Sequence, residues 1–178
     1  MNEEQSVAPR ILVGAVTHAK SPTLEAITQA VCEDVKAAGF TLVRSVTVNC
    51  EEEVVQQLVS RVSNDNEADA IILVGGTGFG PRDHVCEAID KYVERRIEGF
   101  GEAYRHLLRR DEGGGDALLG GHAGLVRATA GVYNQCLVFA LTGRKQDVQH
   151  AMREILVPTL SEAVQLATGK LRAVKLRA

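Results

Sequence analysis

Three features of the sequence predict an α/β fold, a three-layer αβα sandwich around a mostly parallel sheet. The runs Ile11 to Val16 and Ala70 to Val74 are apolar at nearly every position, as in strands covered on both faces. Segments with helical spacing of apolar residues separate the runs, so the chain reads β-α-β-α-β. The third run empties into Gly75, Gly76, Gly78 and Gly80, a loop suited to the carboxyl end of a parallel strand, where open α/β sheets collect ligands.

The elements follow in order. Ile11 to Val16 is a first strand and Thr17 to Ser21 its carboxyl-end loop. Ser21 caps and Pro22 opens a helix with Leu24, Ile27, Val31 and Val35 on one face, which Gly39 ends. Phe40 to Val48 is a second strand. A helix beginning at Asn49 or Cys50 places Glu51, Glu52 and Glu53 at its positive end and buries Val54, Val55, Leu58 and Val62. The glycine loop leads into a helix over 84 to 96, carried by Val85, Ala88, Ile89 and Val93. Gly99 and Gly101 break the chain before a helical segment at 102 to 110. Leu137 to Leu141 is a last core strand, 143 to 145 a turn and 147 to 155 a helix, and Pro158 marks a break before 160 to 167.

Composition narrows the function classes. The chain of 178 residues suits one core, and 45% apolar with 24% charged residues describes a globular rather than a disordered protein. A net charge of −3 argues against a general nucleic-acid or anionic-membrane partner. No apolar run approaches the roughly 18 residues that span a bilayer. The polar start carries no secretory pattern, and Cys32, Cys50, Cys86 and Cys136 lack metal-type spacing, so reduced thiols in a cytoplasmic protein are expected. The five histidines supply no closely spaced ligand pairs for zinc either.

The loop 75 to 83 has two readings from residues alone, an anion-holding concavity of backbone N–H groups or an ordinary turn. It ends Gly80-Pro81-Arg82-Asp83 rather than Gly-Lys-Ser/Thr, which excludes a P-loop, and its glycine spacing is not the dinucleotide fingerprint. A second glycine-rich stretch, 111 to 124 with His122, reads as a mobile surface loop or a further phosphate loop.

The whole motif Gly75-Gly-Thr-Gly-Phe-Gly-Pro-Arg-Asp83, with Glu87-Ala88 and 94 to 102, resembles the molybdenum cofactor biosynthesis domain of the MogA/MoaB type, also found as the gephyrin G domain. The likeness continues at 127 to 134, 137 to 141 and 155 to 158. It implies one domain over 10 to 168, between a flexible arm at 1 to 9 and a basic tail at 169 to 178. The implied activity is molybdopterin adenylyl transfer, in which the pterin's terminal phosphate attacks the α-phosphorus of ATP and pyrophosphate leaves. ATP and molybdopterin are the implied substrates, Mg²⁺ the implied cofactor, and a homotrimer or homohexamer the implied assembly.

By position, the resemblance makes Gly75, Gly76, Thr77 and Gly78 the phosphate- and pterin-binding loop. Asp83 becomes the functional aspartate and a tentative Mg²⁺ ligand, and Arg82 the adjacent cation. Taken alone, Asp83 also reads as the cap of the next helix. Four segments depart from the family pattern. Thr17, His18 and Ala19 stand where Ser-Asp-Arg or Ser-Asn-Arg is usual, and Asn49-Cys50 replaces Pro-Asp, so Cys50 occupies the position of a second aspartate. A thiol holds Mg²⁺ poorly. Glu51 or Glu52 could substitute through a one-residue shift, or simply be solvated first-turn carboxylates. Val126 replaces a serine, and Thr142-Gly143-Arg144 replaces Pro-Gly-Ser; Arg144 either contacts phosphate or faces water.

Two expectations of different class follow: an active adenylyltransferase, or a catalytically degenerate MoaB-like protein acting as a pterin-binding scaffold, carrier or regulator. A distant third uses Cys50 as a nucleophile on a different nucleotide substrate.

Overall fold

The computed structural model describes residues 8–111 and 121–169. Residues 1–7 of the arm expected at 1 to 9, the 112–120 part of the glycine-rich loop and residues 170–178 of the tail expected at 169 to 178 lie outside the described residues.

The chain forms β1 (Arg10–Thr17), α1 (Pro22–Ala37), β2 (Thr41–Asn49), α2 (Glu52–Asn64) and β3 (Ala70–Val74). Then come α3 (Val85–Tyr92), β4 (Arg95–Arg96), α4 (Glu98–Asp111), β5 (Thr129–Tyr133) and β6 (Cys136–Leu141). Finally α5 (Lys145–Ala151), a π-helical segment at Met152–Leu156 and α6 (Val157–Thr168) run on without interruption. The strands make one six-stranded sheet in the order β2-β1-β3-β6-β5-β4. The first four in that order pair in parallel, and the β5 and β4 pairings are antiparallel.

Strand periodicity divides the core in two. Ile11, Val13, Ala15, Ile72, Val74, Phe139 and Leu141 face α1, α4, α5 and α6. Leu12, Val16, Ile71, Leu73, Val138 and Ala140 face α2 and α3. Both faces of β1, β3 and β6 are therefore dry, which explains their unbroken apolar sequence, whereas the edge strand β2 alternates apolar with polar residues and stays partly exposed.

Local chemistry sets the helix ends. The Ser21 hydroxyl accepts the Leu24 N–H at 3.3 Å, with Pro22 at the first helical position. At the other end of α1, the Phe40 N–H donates to the Val35 carbonyl and the Gly39 N–H to Lys36, with Gly39 at φ +81°. That is a Schellman close. The end of α2 repeats it with Asn66 at φ 50°.

Three expectations are corrected, and a fourth, the core strand at Leu137 to Leu141, holds and gains a partner. The helix expected over 84 to 96 stops at Tyr92, because Glu94 N–H donates to Val132 and Ile97 N–H to Ala130, drawing the chain into the sheet edge as β4. Gly131 permits that approach, since a Cβ there would lie 2.7 Å from Val93 Cβ and 2.8 Å from the Arg95 carbonyl. Gly99 and Gly101 do not break the chain but lie inside α4, whose stripe Phe100, Tyr104 and Leu108 is buried. A Cβ at Gly101 would meet the Ala128 carbonyl at 2.7 Å, so this glycine serves close packing. Leu137 to Leu141 is the second arm of a hairpin whose first arm, β5, sequence reading treated only as part of a motif. Pro158 causes no break, because the wider π turn before it carries the helix past the residue that lacks an N–H.

Candidate functional site

The loops after β1, β2 and β3 meet at the carboxyl end of the sheet, as the alternation of elements implied. Cys50 sits at the end of β2, 1% exposed, with its sulfur beneath the β3 loop. It donates weakly to the Gly76 carbonyl at 3.7 Å and receives the His84 N–H at 3.5 Å. From the β1 loop, His18 Nε2 lies 3.4 Å from Asp83 Oδ1. The imidazole, the thiol and the carboxylate have ligand atoms all within 4.8 Å of one another, from three loops distant in sequence. His18, Asn49, Cys50, Glu51, Arg82 and His84 border a cavity of about 280 Å³ beside them.

The glycines of the β3 loop are explained largely by packing. Gly75 and Gly76 have φ +95° and +66°. A Cβ at Gly76 would stand 2.5 Å from Cys50 Sγ and 2.6 Å from Val85 Cγ2. Gly78 and Gly80 wrap Asp83, where a Cβ would fall 2.6 and 2.8 Å from Oδ2. Three of the loop's N–H groups are already used: Gly75 donates to the Leu141 carbonyl at 3.0 Å, Gly80 to Asp83 Oδ2 at 3.0 Å, and Asp83 to the Gly80 carbonyl at 2.9 Å. Thr77 is buried at 5% exposure. Asp83 is not the cap of α3: His84 holds that position without a side-chain hydrogen bond, and the Asp83 carboxylate turns back into its own loop.

The remaining expected residues divide. Arg82 is exposed at the cavity and makes no ion pair among the described residues. Thr17 spends its hydroxyl on the Ala19 carbonyl at 2.6 Å. Glu52 pairs with Lys91 at 2.8 Å, and Glu51 accepts the Asn49 amide at 2.8 Å. Neither glutamate joins the His18, Cys50 and Asp83 cluster, so the one-residue shift finds no support. Gly143 lies with a built Cβ 3.7 Å from Gly75 Cα, beside the loop, whereas Arg144 is the exposed residue before α5 and does not border the cavity. His122 has no described side chain.

Burial, above all, pushes the Cys50 thiol up from its ordinary value; the His84 N–H opposes this and the Asp83 charge adds to it. The Glu87 charge raises it further, and the Val85 N–H works against it. A thiol held protonated at neutral pH is a poor nucleophile, which weakens the third reading.

Sequence reading missed the supports behind this surface. Tyr104 Oη lies 3.2 Å from Thr142 Oγ1, which in turn donates to Asp147 Oδ2 at 3.3 Å, a buried polar chain under the β6 loop. Arg127 donates to Glu87 at 2.7 Å, tying α3 to the segment before β5, and that guanidinium holds Glu87 below the usual carboxylate range. The quoted motif contained both residues but not their contact.

The family profile described as "Probable molybdopterin binding domain" matches residues 12–162. The chain belongs to the MogA/MoaB family of molybdenum cofactor biosynthesis proteins. Molybdenum cofactor biosynthesis protein B of Bacillus subtilis (strain 168) is 33% identical over 128 residues, 72% of each chain. The protein of that name from Staphylococcus aureus (strain Mu50) is 30% identical over 179 residues, 94% of this chain and 99% of the relative. A crystal structure of a molybdenum cofactor biosynthesis protein B superposes with a TM-score of 0.81 at 25% identity, over 91% of this chain and 97% of the other. Within the MogA/MoaB frame, this chain keeps the nine-residue β3 loop and brings a histidine and a cysteine to its aspartate.

Proposed function

We propose that the carboxyl-end cleft binds molybdopterin, and that the chain acts in molybdenum cofactor biosynthesis as a MoaB-like pterin-binding protein without magnesium-dependent adenylyl transfer of its own. The observation that carries this reading is Cys50, a buried thiol at the position where the resemblance requires a second carboxylate.

Binding has its parts. Arg82, exposed at the cavity and without an ion pair among the described residues, is available to the pterin's terminal phosphate, and charge-assisted contacts of that kind are among the stronger ones. Phe79, 63% exposed in the middle of the β3 loop, offers an aromatic face to a flat bicyclic ring.

The Mg²⁺ implied by the resemblance does not fit the donor set. Magnesium demands near-octahedral oxygen ligation, and here one carboxylate meets an imidazole and a thiol. A second reading, active adenylyl transfer, is favoured by one observation, that Asp83 and Arg82 stand together at the cleft. In it, a phosphate oxygen of the pterin attacks the α-phosphorus of ATP, pyrophosphate leaves, and Arg82 balances developing charge. A homotrimer or homohexamer is the assembly the resemblance implies, and light scattering of the purified chain reads it directly.

Calorimetric titration with molybdopterin under anaerobic conditions tests the binding. The wild type gives saturable heat, and Arg82→Ala binds about tenfold more weakly, the loss of one charged hydrogen bond. No heat with the wild type would sink the reading.

A further inference from the structure

We propose that His18, Cys50 and Asp83 form a binding site for a borderline-soft divalent metal ion, of which Zn²⁺ is the natural probe. The site goes beyond the pterin reading and requires neither pterin nor nucleotide. It rests on the convergence of three donors of different chemistry from three separate strand ends. Sequence spacing gave no sign of it, because the three positions are far apart in the chain.

The donor set is selective. Thiolate and imidazole are the ligands that draw zinc and its neighbours, and with one carboxylate they make the three-ligand pattern of open zinc sites. Tetrahedral bonds of about 2.0 to 2.3 Å place ligand atoms roughly 3.3 to 3.8 Å apart. Here His18 Nε2 and Asp83 Oδ1 are 3.4 Å apart, and one ligand atom from each of the three side chains lies within 4.8 Å of the other two. Among the described residues no other group of this kind exists.

The surroundings support the ligands and leave a position open. The Gly80 N–H fixes Asp83 through Oδ2, leaving Oδ1 toward His18. The glycine at 76 clears the space a side chain would take from the sulfur, with a Cβ only 2.5 Å away. The fourth position faces the cavity of about 280 Å³ bordered by Asn49, Glu51, Arg82 and His84, where water or a soft anionic ligand can enter. Binding replaces the Cys50 S–H bond with an S–metal bond, and the proton passes to solvent.

The test uses the purified full chain, stripped of metal under reducing conditions, with neither pterin nor ATP present. Zn²⁺ is titrated against a chromogenic chelator, and Co²⁺ binding is followed by absorbance. One Zn²⁺ per chain is expected, resistant to a large excess of Mg²⁺, with a thiolate-to-cobalt charge-transfer band. Cys50→Ser abolishes that band, and Cys50→Ser and His18→Ala each weaken Zn²⁺ by at least about 100-fold, since loss of even a supporting partner costs 10–100-fold. Circular dichroism verifies folding, and should Cys50→Ser not fold, His18→Ala on the exposed loop decides. Absence of stoichiometric binding, or binding unchanged in the folded variants, overturns the site. Because no pterin is present, that failure is distinct from failure of the pterin reading.

Discussion

Cys50 shows how far one residue could be read from sequence. Its position opposite a family aspartate was legible from the strand that precedes it. What surrounds it was not, because the partners, Gly76, His18, His84 and Asp83, arrive from other loops. The glycines were similarly ambiguous: an anion cradle and an ordinary turn share a composition, and only built contacts separate them. Gly76 is required by both backbone and space, whereas Gly143 has ordinary φ and a nearest contact of 3.7 Å. Gly76→Ala therefore costs about 3 kcal/mol, from the strained φ and overpacking, while Gly143→Ala costs under about 1 kcal/mol. Urea denaturation of the two variants checks the contrast; equal losses would contradict the packing account.

At the scale of elements, α1, α2 and β3 were legible because their signals are local: a serine cap, a proline at the start, a helical stripe, a continuous apolar run. The elements misread are those set by long-range pairing. Val93 to Ile97 continues a helical pattern, yet two inter-strand hydrogen bonds claim its backbone. The β5–β6 hairpin did leave a signal, an asparagine in the two-residue connection Asn134-Gln135 between apolar runs. Both residues adopt positive φ, 45° and 64°, the geometry of a type I′ turn. Glycine suits the second position better than glutamine, so Gln135→Gly raises stability by about 0.5 to 1 kcal/mol. Thermal unfolding reads this, and a lowered midpoint would mean that the turn is held by side-chain contacts of Gln135.

For the whole molecule, the parallel sheet and its carboxyl-end cleft followed from the alternation of elements, and the family from one loop. Less legible was the distribution of charge and burial that sets pH dependence. Glu67 beside Arg44 and Glu87 beside Arg127 are held below the usual carboxylate value. Such groups stabilise the fold above the ordinary carboxylate pKa, and that contribution is lost as pH falls through their lowered values. At the other limb, burial pushes the Cys136 thiol from 9.0 up to about 11. Its contribution is complete below the unfolded value and is lost as pH rises through the folded one, about 3 kcal/mol in all. Denaturation between pH 8 and pH 11.5 should show that decline, and Cys136→Ala should flatten it; an unchanged slope would assign the alkaline limb elsewhere. The central claim, that Cys50 leaves a binding cleft without magnesium-dependent chemistry, is tested most directly by pyrophosphate release from ATP and Mg²⁺ with molybdopterin supplied, measured on the wild type, Cys50→Asp and Asp83→Asn. The account predicts silence from the wild type and from Asp83→Asn, with release appearing in Cys50→Asp. Pterin-dependent release from the wild type that collapses in Asp83→Asn would contradict it and establish an active adenylyltransferase.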